Sequence, residues 1–127
     1  MKKFLLLPIL ATFLFSANLF AQVSFTTSPS SGCYPLAVTF TNNTTEPGAY
    51  QFQWYFDDGS PTFIDTLTTS FTYTYTTGGN FNPFVYVYDN VGNWLGWNYG
   101  TPGNINVQGA NNFYLMNDTV CPNDVVY

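Results

Sequence analysis

From residue 22 onward, apolar and polar side chains alternate with a period of two in one stretch after another. Leu36, Val38 and Phe40 are interleaved with Ala37, Thr39 and Thr41. Tyr50, Phe52, Trp54 and Phe56 alternate with Gln51, Gln53 and Tyr55, and Phe71, Tyr73 and Tyr75 keep the same period. After Gly78-Gly79, Phe81, Val85 and Val87 hold one parity while Phe84, Tyr86 and Tyr88 hold the other. Successive side chains of a strand point to opposite faces, so the pattern predicts half-buried β-strands. A last strand is expected to include Ile105 and Val107, and Trp94 to Gly103 reads as a strand or hairpin with an irregular return. No window after Ala21 has the apolar spacing of an amphipathic helix. Short strands at regular intervals with turn residues between them predict an all-β sandwich.

The two ends break the pattern. Met1-Lys-Lys3, the apolar run Phe4 to Phe15 and the exit Ser16 to Ala21 describe a secretory signal peptide, too short to span a bilayer comfortably. Residues 1–21 are assigned to that signal and 22–108 to the sandwich. Residues 109–127 are assigned to a linker and the start of a possible second β module, because alternation resumes in "FYLMNDTVCPNDVVY". The protein is expected to be secreted or extracellular, at the cell surface in one version, with no membrane insertion after signal removal.

Composition then removes whole classes of function. Beyond Lys3 the sequence has no Lys, Arg or His, against Glu46 and six aspartates. Nucleic acid and anionic membrane surfaces are recognised by cations that displace counterions, and none exist here. Without His or Lys, a general base near neutral pH would have to be a strongly shifted carboxylate or tyrosine. Ser and Thr have no partner to activate them, so an enzyme is not expected. All ten Tyr, all three Trp and nine of the thirteen Phe follow residue 21, and aromatic side chains suit a pleated surface.

Three stretches resemble a known family. "SPSSGCYPLAVTFTNNT" (28–44), "WYFDDGS" (54–60) and "TYTTGGNFNPFVYVYDNVGN" (74–93) are similar, in order and spacing, to the polycystic-kidney-disease-type (PKD) domain, an immunoglobulin-like sandwich of about seven strands. The resemblance spans roughly residues 25 to 108 and assigns Trp54, Phe56, Asp58, Gly59, Tyr75, Gly79 and Asp89 to its structural motif. It implies that "WYFDDGS" closes a turn at a strand end, with carboxylate oxygens accepting local backbone N–H groups. Strand geometry agrees, since adjacent residues point to opposite faces and Asp57 and Asp58 cannot flank one bond as a catalytic pair. Tyr55 and Asp57 depart from the family, which usually has Asp and Gly there, and Pro83 stands where a ladder residue is expected.

Three features carry candidate chemistry. Asp57, Asp58, Asp65 and Asp89 offer oxygen ligands for calcium but lack the one-three-five spacing of a dedicated loop, so solvated turn carboxylates are the preferred reading. Cys33 and Cys121 would pair readily in an oxidising compartment. The resemblance, however, places the usual partner of Cys33 near Asn93-Trp94 and makes Cys121 the first cysteine of a following module. The expectation leans slightly against a Cys33–Cys121 bridge. The third feature is an aromatic row: if Phe81, Val85 and Val87 point inward, Phe84, Tyr86 and Tyr88 point outward. The immunoglobulin-like resemblance implies that the strand of Tyr55 lies beside them, with Trp94 and Trp97 nearby. Aromatic surfaces edged with amides suit sugar rings and protein partners alike.

The resulting expectation is a non-catalytic PKD-type module for adhesion, spacing or protein–protein contact in a larger secreted or surface protein. The alternative is a carbohydrate-binding accessory module that uses the aromatic face beside a hydrolase domain, its partner an extracellular polysaccharide.

Overall fold

The structure, a computed structural model, describes residues 22–66, 69–109 and 121. The segment 1–21 read as a signal peptide, and all of 110–127 except Cys121, lie outside the described residues. The described chain is all-β. In order it forms β1 (Phe25–Ser28), β2 (Ser31–Cys33), β3 (Leu36–Asn42), β4 (Gln51–Tyr55), β5 (Phe63–Asp65), β6 (Ser70–Tyr75), β7 (Gly79–Phe81), β8 (Phe84–Tyr88), β9 (Trp94–Tyr99) and β10 (Ile105–Gln108).

Two sheets make the layers of a sandwich. One has the order β1-β3-β6 and the other β5-β4-β8-β9, with antiparallel pairing throughout. A third sheet, β2-β10-β7, combines a parallel pair with an antiparallel one. The predicted alternation appears directly in burial. Leu36, Val38 and Phe40 of β3, Phe52 and Trp54 of β4, and Val85 and Val87 of β8 all point into the core. Trp54 sits at its centre, edge-on to Phe25 at 5.0 Å and to Phe71 at 5.1 Å, while Phe40 stacks on Phe71 at 5.2 Å. Burying side chains of this size stabilises the fold by about 1.5 to 3 kcal/mol each. Gly100 is buried against the Phe25 ring, where a Cβ would collide with it.

The strands are shorter and more numerous than the sequence suggests. Residues 79–88 read as one strand but divide at Asn82-Pro83, with β7 pairing to β10 and β8 to β4 and β9. Proline donates no ladder hydrogen bond, so the buried Pro83 marks the point where the chain changes sheets without losing its inward parity. Ser31–Cys33, ahead of the alternation that begins at Leu36, forms a further strand that pairs with β10. Tyr50 shares the parity of the core residues yet is 46% exposed, because it lies just outside β4.

The cysteine expectation is corrected. Cys33 and Cys121 form a disulfide with Cα atoms 5.4 Å apart, and among the described residues there is no free cysteine. The family-based placement of a partner near residue 93 misled because β2 runs beside β10, so Cys33 stands opposite Gln108. Cys121 packs against Gln108, its sulfur 3.8 Å from that residue's carbonyl oxygen.

Candidate functional site

The doubled acid after β4 is spoken for locally. Asp57 has φ 63°, a left-handed conformation that Asp tolerates better than most residues and that glycine adopts freely. Its carboxylate accepts the Asn82 N–H at 2.9 Å, fastening the turn to the segment before β8. Asp58 goes elsewhere: it accepts the Ser60 N–H at 3.0 Å and the Tyr73 hydroxyl of β6. Gly59, at φ 80°, completes the bend. Partial burial by itself would raise the Asp58 carboxyl, but the hydrogen bonds from Ser60 and Tyr73 outweigh it and hold the group below its ordinary value. Burial, reinforced by the Asp58 charge, pushes the Tyr73 phenol up.

The other motif residues have equally local tasks. The buried Tyr75 hydroxyl donates to the Phe56 carbonyl at 3.0 Å, and burial drives its pKa far up. Gly79 leaves room for the Phe81 ring, which a Cβ would meet at 2.9 Å. Asp89 accepts the Val91 and Asn93 N–H groups at 2.9 and 2.8 Å and the Asn93 side-chain amide at 2.8 Å, tying the β8–β9 turn. Slight desolvation opposes these bonds but loses, so the Asp89 carboxyl is held low. Among the described residues no three His, Cys, Asp or Glu side chains gather to hold a metal.

The outer face of the β5-β4-β8-β9 sheet is where the remaining chemistry collects. Pairing puts Tyr55, Phe84 and Tyr99 in one cross-strand row, and Ile64, Gln53, Tyr86 and Trp97 in the next. Gln51, Tyr88 and Trp94 make a third row. Strands lie about 4.8 Å apart and alternate residues about 6.7 Å, so the aromatic field over β4, β8 and β9 measures roughly 10 by 13 Å. Trp94, Trp97 and Tyr99 are 58%, 48% and 49% exposed. Tyr55 and Phe84 stack at 4.6 Å, Tyr86 stands edge-on to both, and Trp97 meets Tyr99 edge-on at 5.1 Å. Phe84 also abuts Tyr99 at 5.8 Å.

All six aromatic residues expected there, Tyr55, Phe84, Tyr86, Tyr88, Trp94 and Trp97, share this face. Strict alternation would put Trp94 and Trp97 on opposite sides, three positions apart. A bulge between Val87 and Tyr88 and their partners, which leaves Leu95 as the extra residue, brings both tryptophans outward. Tyr99 and Ile64 belong to the same face and escaped the sequence reading. The "WLGWNYG" stretch has no clean period, and β5 is only three residues long. A shallow depression lined by Asn82, Gly103 and Asn104 adjoins Tyr99 and sets amides beside the rings.

No protein-family model matches this sequence, and no curated protein matches it. A solved structure concerning the promiscuous specificity of carbohydrate-binding modules from the β-sandwich superfamily is similar to this chain. Sequence identity is 26% and the TM-score 0.56 over 70% of this chain and 34% of the other. This chain therefore spans about a third of the length of the solved chain it matches.

Proposed function

We propose that this chain is a carbohydrate-binding module whose binding surface is the outer aromatic face of β4, β8 and β9. The observation that carries the reading is the exposure of Trp94, Trp97 and Tyr99 in register with Phe84, Tyr86 and Tyr88. A monomeric sandwich has no folding reason to hold such a field in water, since contiguous exposed apolar surface marks an interaction site. Sugar rings present an apolar face to an aromatic ring and hydroxyls to neighbouring amides, here Gln51 and Gln53. The similarity to carbohydrate-binding modules supports the same conclusion independently. The module is non-catalytic and works outside the cell beside other domains, as the leader-like Met1 to Ala21 suggests.

Adhesion or spacing, implied by the PKD resemblance, accounts for the turn carboxylates but not for the aromatic face. It is the weaker reading for that reason. The test is retention on insoluble glycans, with Tyr86→Ala combined with Trp97→Ala as the probe. Loss of two stacking rings is expected to weaken retention by about tenfold or more while leaving the melting temperature nearly unchanged. Unaltered retention, or no retention by the parent protein, ends the glycan reading in favour of a protein partner.

A further inference from the structure

The outer face has a charge environment as distinctive as its rings. Beyond Lys3 the chain holds no basic side chain that could meet an anionic ligand. The turns at both ends of β8 instead carry carboxylates, Asp57 bonded to Asn82 before the strand and Asp89 tying the turn after it. Asp57 and Asp58 come two and three residues after Tyr55, and the Asp57 carboxylate is bonded to the Asn82 N–H two residues before Phe84, at the end where Tyr55 pairs with Phe84. Asp89 follows Tyr88, at the opposite end where Tyr88 pairs with Gln51 and Trp94. Asp58 and Asp89 are both held below the ordinary carboxylate range, so they stay charged through mildly acidic conditions. A polyanion laid along β8 and β9 would have to run past negative charge at each end with no cation to release its counterions. A neutral chain meets no such barrier.

Resting on the carbohydrate-binding reading, we infer that this face takes uncharged polysaccharide and rejects uronic-acid-containing or sulfated polymers. The two aromatic columns, Phe84-Tyr86-Tyr88 and Tyr99-Trp97-Trp94, form a stripe along the strands, and Gln51 and Gln53 of β4 make its polar margin. Binding to such a stripe comes from stacking, apolar burial and amide hydrogen bonds. It therefore carries almost no salt dependence, unlike binding by charge. Tyr55 and Phe84 cover one face of each other, so the contact falls mainly on Tyr86, Trp94 and Trp97.

The experiment measures depletion of the protein by microcrystalline cellulose and chitin as uncharged probes, and by cross-linked polygalacturonate and a sulfated galactan gel as charged ones. Salt is varied between about 0.01 and 1 M, over which the screening length falls from about 30 to about 3 Å. The expected result is retention on an uncharged probe that changes less than about twofold across the salt range, with at least about tenfold weaker retention on the charged ones. Trp94→Ala and Trp97→Ala, both at exposed positions, should each lower the former. Retention on polygalacturonate or sulfated galactan that depends on Trp97 overturns the inference and leaves the carbohydrate-binding reading standing. Absence of retention on every probe overturns both.

Discussion

The sheet made of β5, β4, β8 and β9 is aromatic on both faces, and the two faces behave as different materials. Inward, Trp54 is touched by Phe25, Phe40, Phe52 and Phe71, and only 1% of it reaches solvent. Outward, Trp97 has Tyr99 as its ring neighbour and stays half exposed. Residue class is the same, and the strands are the same. What differs is the opposing layer: the β1-β3-β6 sheet covers one side, while nothing among the described residues covers the other. Inner rings contribute to folding by leaving water, and outer rings leave an apolar area in water that folding alone does not explain.

The comparison breaks most visibly at the two tryptophans. Trp54→Ala is expected to cost about 3 to 5 kcal/mol, a large part of the total stability of a domain this size. Trp54→Phe should cost much less, because the Trp54 Nε1–H has no hydrogen-bond partner among the described residues and its loss orphans nothing. Trp97→Ala should stay within about 0.5 kcal/mol. Denaturant midpoints at constant slope measure all three. A Trp97 loss as large as that at Trp54 would mean that the outer rings are structural, and the binding reading would lose its main support.

A finer contrast uses tyrosine hydroxyls. Tyr75 is buried and its O–H satisfies the Phe56 carbonyl. Tyr75→Phe leaves that carbonyl without this donor at an expected cost of about 1 to 2 kcal/mol. Tyr86→Phe on the outer face should leave stability unchanged within about 0.5 kcal/mol. Equal effects at the two positions would erase the distinction between faces at the level of single oxygen atoms.

How far this division could be read from the chain depends on which strand is asked. In β3 and β4 every second residue is a large apolar one, so Val38 and Trp54 are inward by parity alone. β8, by contrast, is aliphatic or aromatic throughout, and parity there says only that Val85 and Val87 share one face and Phe84, Tyr86 and Tyr88 the other. That β4 lies beside β8 came from the family resemblance, since periodicity carries no pairing information. The bulge that turns Trp94 outward is a property of the β8–β9 register, which no local pattern in "WLGWNYG" encodes. The disulfide was misjudged for a similar reason: the parallel pairing of β2 with β10 joins segments far apart in sequence. Asp57 is the instructive case in the other direction. Its departure from the family's glycine coincides with φ 63°, and the carboxylate uses that strained position to reach Asn82.

The smallest expected effect lies where the two faces meet the turn. Asp58 ties the end of β4 to Tyr73, a half-buried residue of the inner set whose ring stacks on Phe56 at 3.7 Å. Its folded pKa lies below the ordinary 3.8, so its contribution is complete above that value and fades as pH falls through the lower folded one. Much of the group faces solvent, which reduces the contribution to a fraction of about 1 kcal/mol. Stability measured on acidification should therefore show a shallow decline below about pH 4 that Asp58→Asn flattens. The same substitution should not disturb the outer rings, because Tyr55, the nearest of them, contacts Phe84 and Tyr86 rather than the carboxylate's partners. Should Asp58→Asn retain the full acid decline, the fastening belongs to another carboxylate. Should it also weaken polysaccharide retention, the turn and the aromatic face are one unit rather than two.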